Sequence, residues 1–290
     1  MTGTSTNRPG YMTAGRLVLC PTPLGNLEDI TERTLRALRE CDLVVAEDTR
    51  VTGALLRHFS IRKPLRSLHE RTEAQRLREI RALLDKGKTV AFASDAGMPG
   101  ISDPGAALVR CAREAGAAID ALPGPTAFVG ALVLSGFDVS RFRFEGFPPR
   151  APSQRRAYVR AFADESAAVV WYEAPTRIIG LLDDLERELP GRRVFVLREY
   201  TKKFEQHALG TAPVVKREIE QPPRGEFTVV LEGASRSSSA SHEIPQAARD
   251  AVAQLVERGT HVRDAAESIA RATGLSKNAL YKAALSRRSR

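Results

Sequence analysis

Short runs that are apolar at every position alternate with amphipathic helical stretches through most of this chain, and that alternation restricts the fold more than any other feature. Leu17-Val18-Leu19-Cys20 and Leu43-Val44-Val45-Ala46 offer an apolar side chain to both faces of a strand. Such strands have to be covered on both sides, which points to a largely parallel sheet sandwiched by helices with right-handed crossovers. Between the two runs, Thr31 is placed to cap a helix whose Leu35, Leu38 and Cys41 share one face. The same reading predicts a charged amphipathic helix over 71–86, a strand over 89–93, a helix over 104–115, a strand over 117–122 and a helix over 126–135.

A second α/β unit is expected from about Arg141. There Arg143-Phe144-Glu145-Gly146-Phe147 leads into Pro148-Pro149 and a basic helical pattern with Arg155 and Arg156. Strands are expected over 167–172, 193–197, near 204–209 and over 227–231, with a helix over 174–188. A Ser-rich stretch then reads as a linker. Apolar spacing beyond it predicts short helices over 244–258, 261–272 and 276–286, with Gly259 and Gly274 as stops. The expected organisation is a disordered start over 1–14, α/β domains over 15–138 and 139–233, a linker over 234–242 and a basic helical domain over 243–290. A chain of 290 residues accommodates more than one domain of roughly 150 residues.

The formal charge of +9 implies a field that attracts polyanions, so nucleic acid is a first suspect. The excess is concentrated at the end: Arg271, Lys277, Lys282, Arg287, Arg288 and Arg290 are six bases with no acid among the last twenty residues. Cys20, Cys41 and Cys111 form no C-x-x-C pair, and His69 and His207 show no metal-ligand spacing, so reduced buried thiols and no metal are expected. The first fifteen residues carry no apolar signal core and no stretch reaches about 18 apolar residues, which predicts a cytoplasmic protein without a membrane span.

In an open parallel sheet, ligands bind at the carboxyl ends of the strands. Three loops predicted at such ends are dense in Gly and Pro: Pro21-Thr22-Pro23-Leu24-Gly25-Asn26, Ser94-Asp95-Ala96-Gly97-Met98-Pro99-Gly100 and Leu122-Pro123-Gly124-Pro125-Thr126. Glycine lets a ligand approach the backbone and proline fixes the loop beforehand. No G-x-G-x-x-G opens a helix after a strand and no G-x-x-x-x-G-K-[ST] is present, so neither a dinucleotide nor a nucleotide phosphate is the indicated ligand.

These loops, with Ala46-Glu47-Asp48-Thr49-Arg50, Asp103-Pro104-Gly105, Glu145-Gly146-Phe147, Tyr172-Glu173-Ala174-Pro175-Thr176-Arg177, Arg198-Glu199-Tyr200-Thr201-Lys202 and Lys277-Asn278-Ala279-Leu280-Tyr281-Lys282, resemble in order and spacing the ribosomal RNA small subunit methyltransferase I family. That family lies within the tetrapyrrole methylase superfamily, and the resemblance covers nearly the whole chain from Gly15. It implies an α/β, two-domain tetrapyrrole methylase fold with S-adenosylmethionine in the interdomain cleft, plus a small C-terminal helical domain. It further implies a homodimer that uses no metal and methylates a cytidine 2'-hydroxyl of 16S ribosomal RNA in the small subunit, near the decoding centre. By the same carry-over, Pro23, Leu24, Gly25, Asn26, Ser94, Asp95, Ala96, Gly97, Pro123, Gly124, Pro125, Thr126 and Ala127 would line the cofactor, joined by Gly225 and Glu226 from the second domain. One departure is Met98, where the family usually carries a hydroxyl-bearing Thr; thioether sulfur cannot donate that hydrogen bond.

A ribose hydroxyl is a weak nucleophile, so a carboxylate or a lysine of lowered pKa would assist by taking its proton. Asp48, Asp95, Glu173, Glu199 and Lys202 all sit in polar clusters at predicted strand ends and are unranked candidates. For Asp48 and Asp103 the competing role is a loop brace or helix cap. Arg50, Arg177 and Arg198 have the chemistry to clamp RNA phosphates, with surface charge pairing as the alternative. Lys277, Lys282, Arg287 and Arg288 would track an RNA backbone beside Tyr281, which is either a stacking surface or a helix-packing residue. The competing functions are a methylase of the same fold acting on a small tetrapyrrole and a noncatalytic ribosome-assembly factor that binds RNA.

Overall fold

A computed structural model of the chain describes residues 15–68, 73–101, 105–234 and 245–273, together with 277, 280, 281, 283 and 284. The expectations for residues 1–14, His69, Asp103, most of the linker, Gly274, Lys282, Arg287 and Arg288 lie outside the described residues.

The first sheet consists of β1 (Arg16–Cys20), β2 (Leu43–Ala46), β3 (Leu65–Ser67), β4 (Thr89–Ala93) and β5 (Ala118–Ala121), in the order β3-β2-β4-β1-β5. Every pairing is parallel. The double-sided apolar pattern has the predicted consequence. Leu17, Leu19, Val45, Val90 and Phe92 pack on α3 (Glu73–Leu84) and α4 (Gly105–Glu114) on one face. Val18, Cys20, Val44, Ala91 and Ala93 pack with Leu35 and Leu38 of α1 (Glu32–Glu40) and Leu56 of α2 (Thr49–His58) on the other. Thr31 caps α1 by accepting the Thr34 N–H at 3.1 Å. The thiols of Cys20, Cys41 and Cys111 are unpaired and buried, and burial pushes Cys20 up to about 12, which keeps it a neutral thiol.

The second sheet has the order β6-β7-β10-β8-β9, built from β6 (Phe142–Phe144), β7 (Ala168–Glu173), β8 (Arg193–Arg198), β9 (Gln206–Thr211) and β10 (Phe227–Leu231). It is mixed: β6 and β7 are parallel, whereas β10 runs antiparallel to β7 and β8, and β9 antiparallel to β8. The connection over 199–205 is too short for a crossover helix, which forces β9 back alongside β8. Helices α6 (Pro152–Arg160), α7 (Ile178–Glu188) and α8 (Ala212–Glu218) cover one face around Trp171. The other face is covered by Ala131 and Leu132 of α5 (Ala127–Ser135). A helix that follows a strand of the first sheet is therefore packed on the second, and this ties the two halves together.

The described residues up to Gly233 form one compact unit and those from Ala234 another. In the latter, α9 (Gln246–Glu257) ends at Gly259, whose φ of +92° suits a residue without a Cβ. Its core joins Ala248 and Val252 to Ala265 and Ala266 of α10 (Val262–Thr273) and to Leu280. Among the described residues no helix is long and apolar enough to cross a membrane.

Candidate functional site

Because β1 lies between β4 and β5, the loops leaving their carboxyl ends are neighbours. The Thr22 N–H donates to the Gly97 carbonyl and the Gly97 N–H to the Thr22 carbonyl, both at 3.0 Å. The Thr22 hydroxyl donates to the Ser94 carbonyl at 2.9 Å and the Ser94 hydroxyl to the Gly97 carbonyl at 2.5 Å. Gly97 has φ +81°, and a Cβ there would meet Leu24 Cδ2 at 3.0 Å. A Cβ on Gly124 would lie 2.4 Å from Pro21 Cβ. Close approach and left-handed backbone thus explain the glycines, and the three Gly/Pro-rich loops lock into one surface. Ala96, Pro123, Gly124, Gly25 and Asn26 remain exposed on it. Thr126 makes no side-chain cap, so the first turn of α5 opens beside them.

The loop after β2 meets this surface where the Asp48 N–H donates to Asp95 Oδ1 at 3.0 Å. Asp48 is the N-cap of α2, accepting the Arg50 N–H at 2.8 Å, and its ion pair with Arg50 holds its carboxyl down at about 2. The opposite holds for Asp95. Burial raises its pKa, with further Coulombic repulsion from Asp48, against the lowering effect of the Asp48 N–H.

On the second sheet, antiparallel β10 starts where β7 and β8 end, so Phe227 pairs with both Glu173 and Arg198. Glu173, Glu199 and Glu226 consequently share one sheet edge. The Glu173 side chain is fully buried; it accepts the Ala174 N–H at 2.8 Å and an Arg177 N–H at 3.1 Å. Glu199 Oε1 accepts from the Glu226 N–H at 2.9 Å and from Lys202 Nζ at 3.0 Å, and Lys202 Nζ also donates to Glu226 Oε2 at 3.0 Å. Burial acts to lower the Lys202 pKa, but the hydrogen bonds to Glu226 and Glu199 outweigh it and leave the ammonium favoured. Glu199 and Thr201 hold φ of +49° and +64°, a conformation that costs a residue with a Cβ about 1 kcal/mol or more.

This strained turn touches the first sheet's loops. The Asn26 N–H donates to the Thr201 hydroxyl at 3.3 Å, Lys202 lies against Gly25, and the Tyr200 ring fills the place where Gly130 lacks a side chain. Gly225, with φ +87°, leaves room for Glu199, since a Cβ would lie 2.4 Å from Glu199 Cγ.

The arginines divide. Arg50 projects a side chain that is 89% exposed. Arg177 donates to the carbonyls of Pro148 at 2.6 Å and Pro149 at 3.3 Å, and Arg198 donates to the carbonyl of Arg224 and the carboxylate of Glu220, both at 2.8 Å. Both guanidiniums brace loops inside the fold. Lys277 is paired with Glu267 at 2.6 Å, as is Arg271 at 2.8 Å. Tyr281 packs against the α9–α10 core. Two contributors lie inside the quoted motifs but are not among the candidate site residues: Thr22, whose hydroxyl bridges two loops, and Tyr200, whose ring packs where Gly130 of α5 lacks a side chain. No group of three or more His, Cys, Asp or Glu side chains among the described residues is arranged to hold a metal.

Residues 16–215 match the Tetrapyrrole (Corrin/Porphyrin) Methylases, and residues 242–288 match the RsmI C-terminal HTH domain. Among solved structures, the uroporphyrin-III-C-methyltransferase from Thermus thermophilus superposes with a TM-score of 0.53 at 22% identity, covering 74% of this chain and 94% of that one. The methyltransferase CobJ gives 0.57 at 20% identity, covering 76% and 95%. These two likenesses establish the fold. A Ribosomal RNA small subunit methyltransferase I from Thermotoga maritima is 46% identical over 221 residues, 76% of this chain and 99% of that protein. Its namesake from Escherichia coli O157:H7 is 40% identical over 277 residues, 93% of this chain and 95% of that protein. On this evidence the chain belongs to the ribosomal RNA small subunit methyltransferase I family, built on the tetrapyrrole methylase fold.

Proposed function

We propose that the chain is a methyltransferase that moves a methyl group from S-adenosylmethionine to a cytidine 2'-hydroxyl of small-subunit 16S ribosomal RNA. The observation that carries this reading is the juxtaposition of three rigid loops at the carboxyl ends of β1, β4 and β5 with the Glu199–Lys202–Glu226 turn that reaches over to Gly25 and Asn26. The names of the relatives supply the class of substrate.

The residues fit a nucleoside cofactor. Ala96, Gly124 and Gly25 are exposed, Leu24 adds an apolar wall, and the start of α5 carries no side-chain cap from Thr126. When bound, S-adenosylmethionine brings an already activated methyl group on a sulfonium, so the protein's main task is to position the acceptor.

Asp95 is the carboxylate best suited to take the ribose proton. Its Oδ1 is held by the Asp48 N–H, which leaves Oδ2 to accept, and burial raises its basicity above that of an ordinary carboxylate. Asp48 is paired with Arg50, and Glu173 is enclosed by Arg177 and the Ala174 N–H. Lys202, kept as an ammonium by two carboxylates, has no lone pair to offer; it is a positioning residue that holds the turn against Gly25. Arg50 is the exposed cation of this surface and is the proposed phosphate contact. The test is nucleoside mass spectrometry of small-subunit RNA from cells with and without this protein. Loss of a single 2'-O-methylcytidine is expected; a change confined to a base methyl group would refute the ribose acceptor.

A further inference from the structure

Phe147 is 57% exposed, although the loop that carries it is anchored on every side. The Glu145 N–H donates to the Val170 carbonyl at 2.9 Å and the Tyr172 N–H to the Gly146 carbonyl at 2.7 Å, so the loop is sewn to β7. Gly146 turns it with φ +64°, and the next residues are pinned from below, where Arg177 donates to the Pro148 carbonyl and Pro148 is buried. Placing a proline inside and the adjoining phenylalanine outside is the reverse of what burial of apolar area favours. An aromatic ring held rigidly in water has little conformational entropy left to lose when something flat is laid on it.

A run of aromatic contacts connects the ring to the helix that follows the β5 loop. The Phe147 centroid is 5.8 Å from that of Tyr172, a member of an aromatic cluster that reaches Phe128 in the first turn of α5, two residues beyond Thr126. Tyr172 packs in turn on Phe144, and Phe144 on Phe128, with centroids 5.0 and 4.6 Å apart. Phe147 is thus the most exposed member of a continuous run of edge-on, tilted and stacked aromatic contacts that reaches the first turn of α5 after the β5 loop. Arg150 is exposed three residues further on and brings positive charge to the same segment.

We infer that Phe147 is a stacking platform for a nucleobase of the RNA substrate, taking the base of the target nucleotide or its immediate neighbour once it leaves the RNA stack. The inference rests on the reading that the substrate is RNA. A 2'-hydroxyl next to stacked bases is hard to bring in line with a methyl donor, and an enzyme that separates the nucleotide needs a surface to receive the base. Stacking on an aromatic ring serves any base, so Phe147 holds the nucleotide while selection among bases lies elsewhere.

The test is a series at this position in the full chain: Phe147→Ala, Phe147→Leu, Phe147→Tyr and Phe147→Trp. Each is assayed for kcat and KM on small ribosomal subunits that lack the modification, and for S-adenosylmethionine affinity by calorimetry. Stacking predicts that Ala and Leu lower kcat/KM for the subunit roughly fivefold or more, that Tyr and Trp restore it, and that cofactor affinity stays the same throughout. Wild-type kcat/KM in Phe147→Ala overturns the inference, as does equal rescue by Leu, which would mark simple apolar packing. A parallel fall in cofactor affinity overturns it too, because the loop would then be structural. Mass spectrometry of the wild-type product keeps the two readings apart: a methyl group on a base refutes the ribose acceptor and leaves the Phe147 series to be judged on its own values.

Discussion

Gly25 and Lys202 are packed so closely that a Cβ on the glycine would lie 2.1 Å from Lys202 Cγ and 3.2 Å from its Cβ and Cδ. The glycine belongs to the loop after β1 and the lysine to the turn after β8, so this contact joins the two sheets at the candidate site. Gly25→Ala is expected to push the lysine stem off the loop, costing about 1–3 kcal/mol of stability and about tenfold or more in methyl transfer. Shortening the obstructing side chain relieves the clash, so Gly25→Ala should cost less in a Lys202→Ala background, with a coupling of about 0.5–3 kcal/mol. Urea unfolding of the four proteins in that cycle checks it, and strict additivity would mean that the two residues do not meet.

Asp95→Asn preserves an oxygen for the Asp48 N–H and removes the basic carboxylate. The expected result is a fall in kcat of about 100-fold or more with S-adenosylmethionine affinity unchanged. Burial raises the pKa of Asp95, and a base must be deprotonated to work. Activity of the wild type should therefore rise with pH along a limb displaced upward from the usual carboxylate value of about 3.9. The Asn variant should lack that limb, and a limb that persists in it assigns the titration to another group.

Much of this site was legible in the residues, and the part that was not has a physical reason. The strands of the first sheet declared themselves because they are apolar on both faces, and the loops because glycine and proline concentrate where backbones touch, as at Gly124 against Pro21. Helix α2 was hidden because its first turn lies in the polar cluster around Asp48 and Arg50 and it contains Gly53. Three-residue β3 and β6 are too short to show an alternation, and α8 is a seven-residue helix. The internal use of Arg177 and Arg198 was invisible for a different reason. Each satisfies backbone carbonyls at least 26 positions away in sequence, a need that arises only once the loops over 148–149 and 224 are folded against them. The same applies to Asn26 and Thr201, which are 175 positions apart.

Lys202 also predicts an alkaline signature. Its folded pKa is raised above the unfolded value of 10.5 by Glu226 and Glu199, although burial opposes the shift. A cationic group shifted in that direction stabilises the fold fully below the unfolded pKa and loses the contribution as pH climbs through the folded one. Lys202→Met should accordingly be less stable than the wild type at neutral pH, with a gap that narrows above about pH 10.5. Thermal unfolding of both proteins across pH 7 to about 11.5 measures the gap, and a constant difference would show that the lysine contributes packing alone.

The residues from Ala234 form their own compact unit, and the Thermotoga maritima relative is matched over 99% of its length by only 76% of this chain. A family member thus does without about a quarter of the present sequence. A chain ending at Gly233 is expected to fold and to bind S-adenosylmethionine as the full chain does, because the loops after β1, β4 and β5 and the turn with Lys202 all lie within it. RNA binding should weaken and its dependence on salt become shallower, since basic side chains at a phosphate backbone displace condensed counterions. Glu267 pairs with Arg271 at 2.8 Å and with Lys277 at 2.6 Å, so replacing either cation alone by alanine should reduce affinity for small subunits less than removing the whole unit. Filter binding across a salt series decides the point, and equal loss of RNA and cofactor affinity in the shortened chain would show that this unit supports the methylase fold instead of capturing substrate.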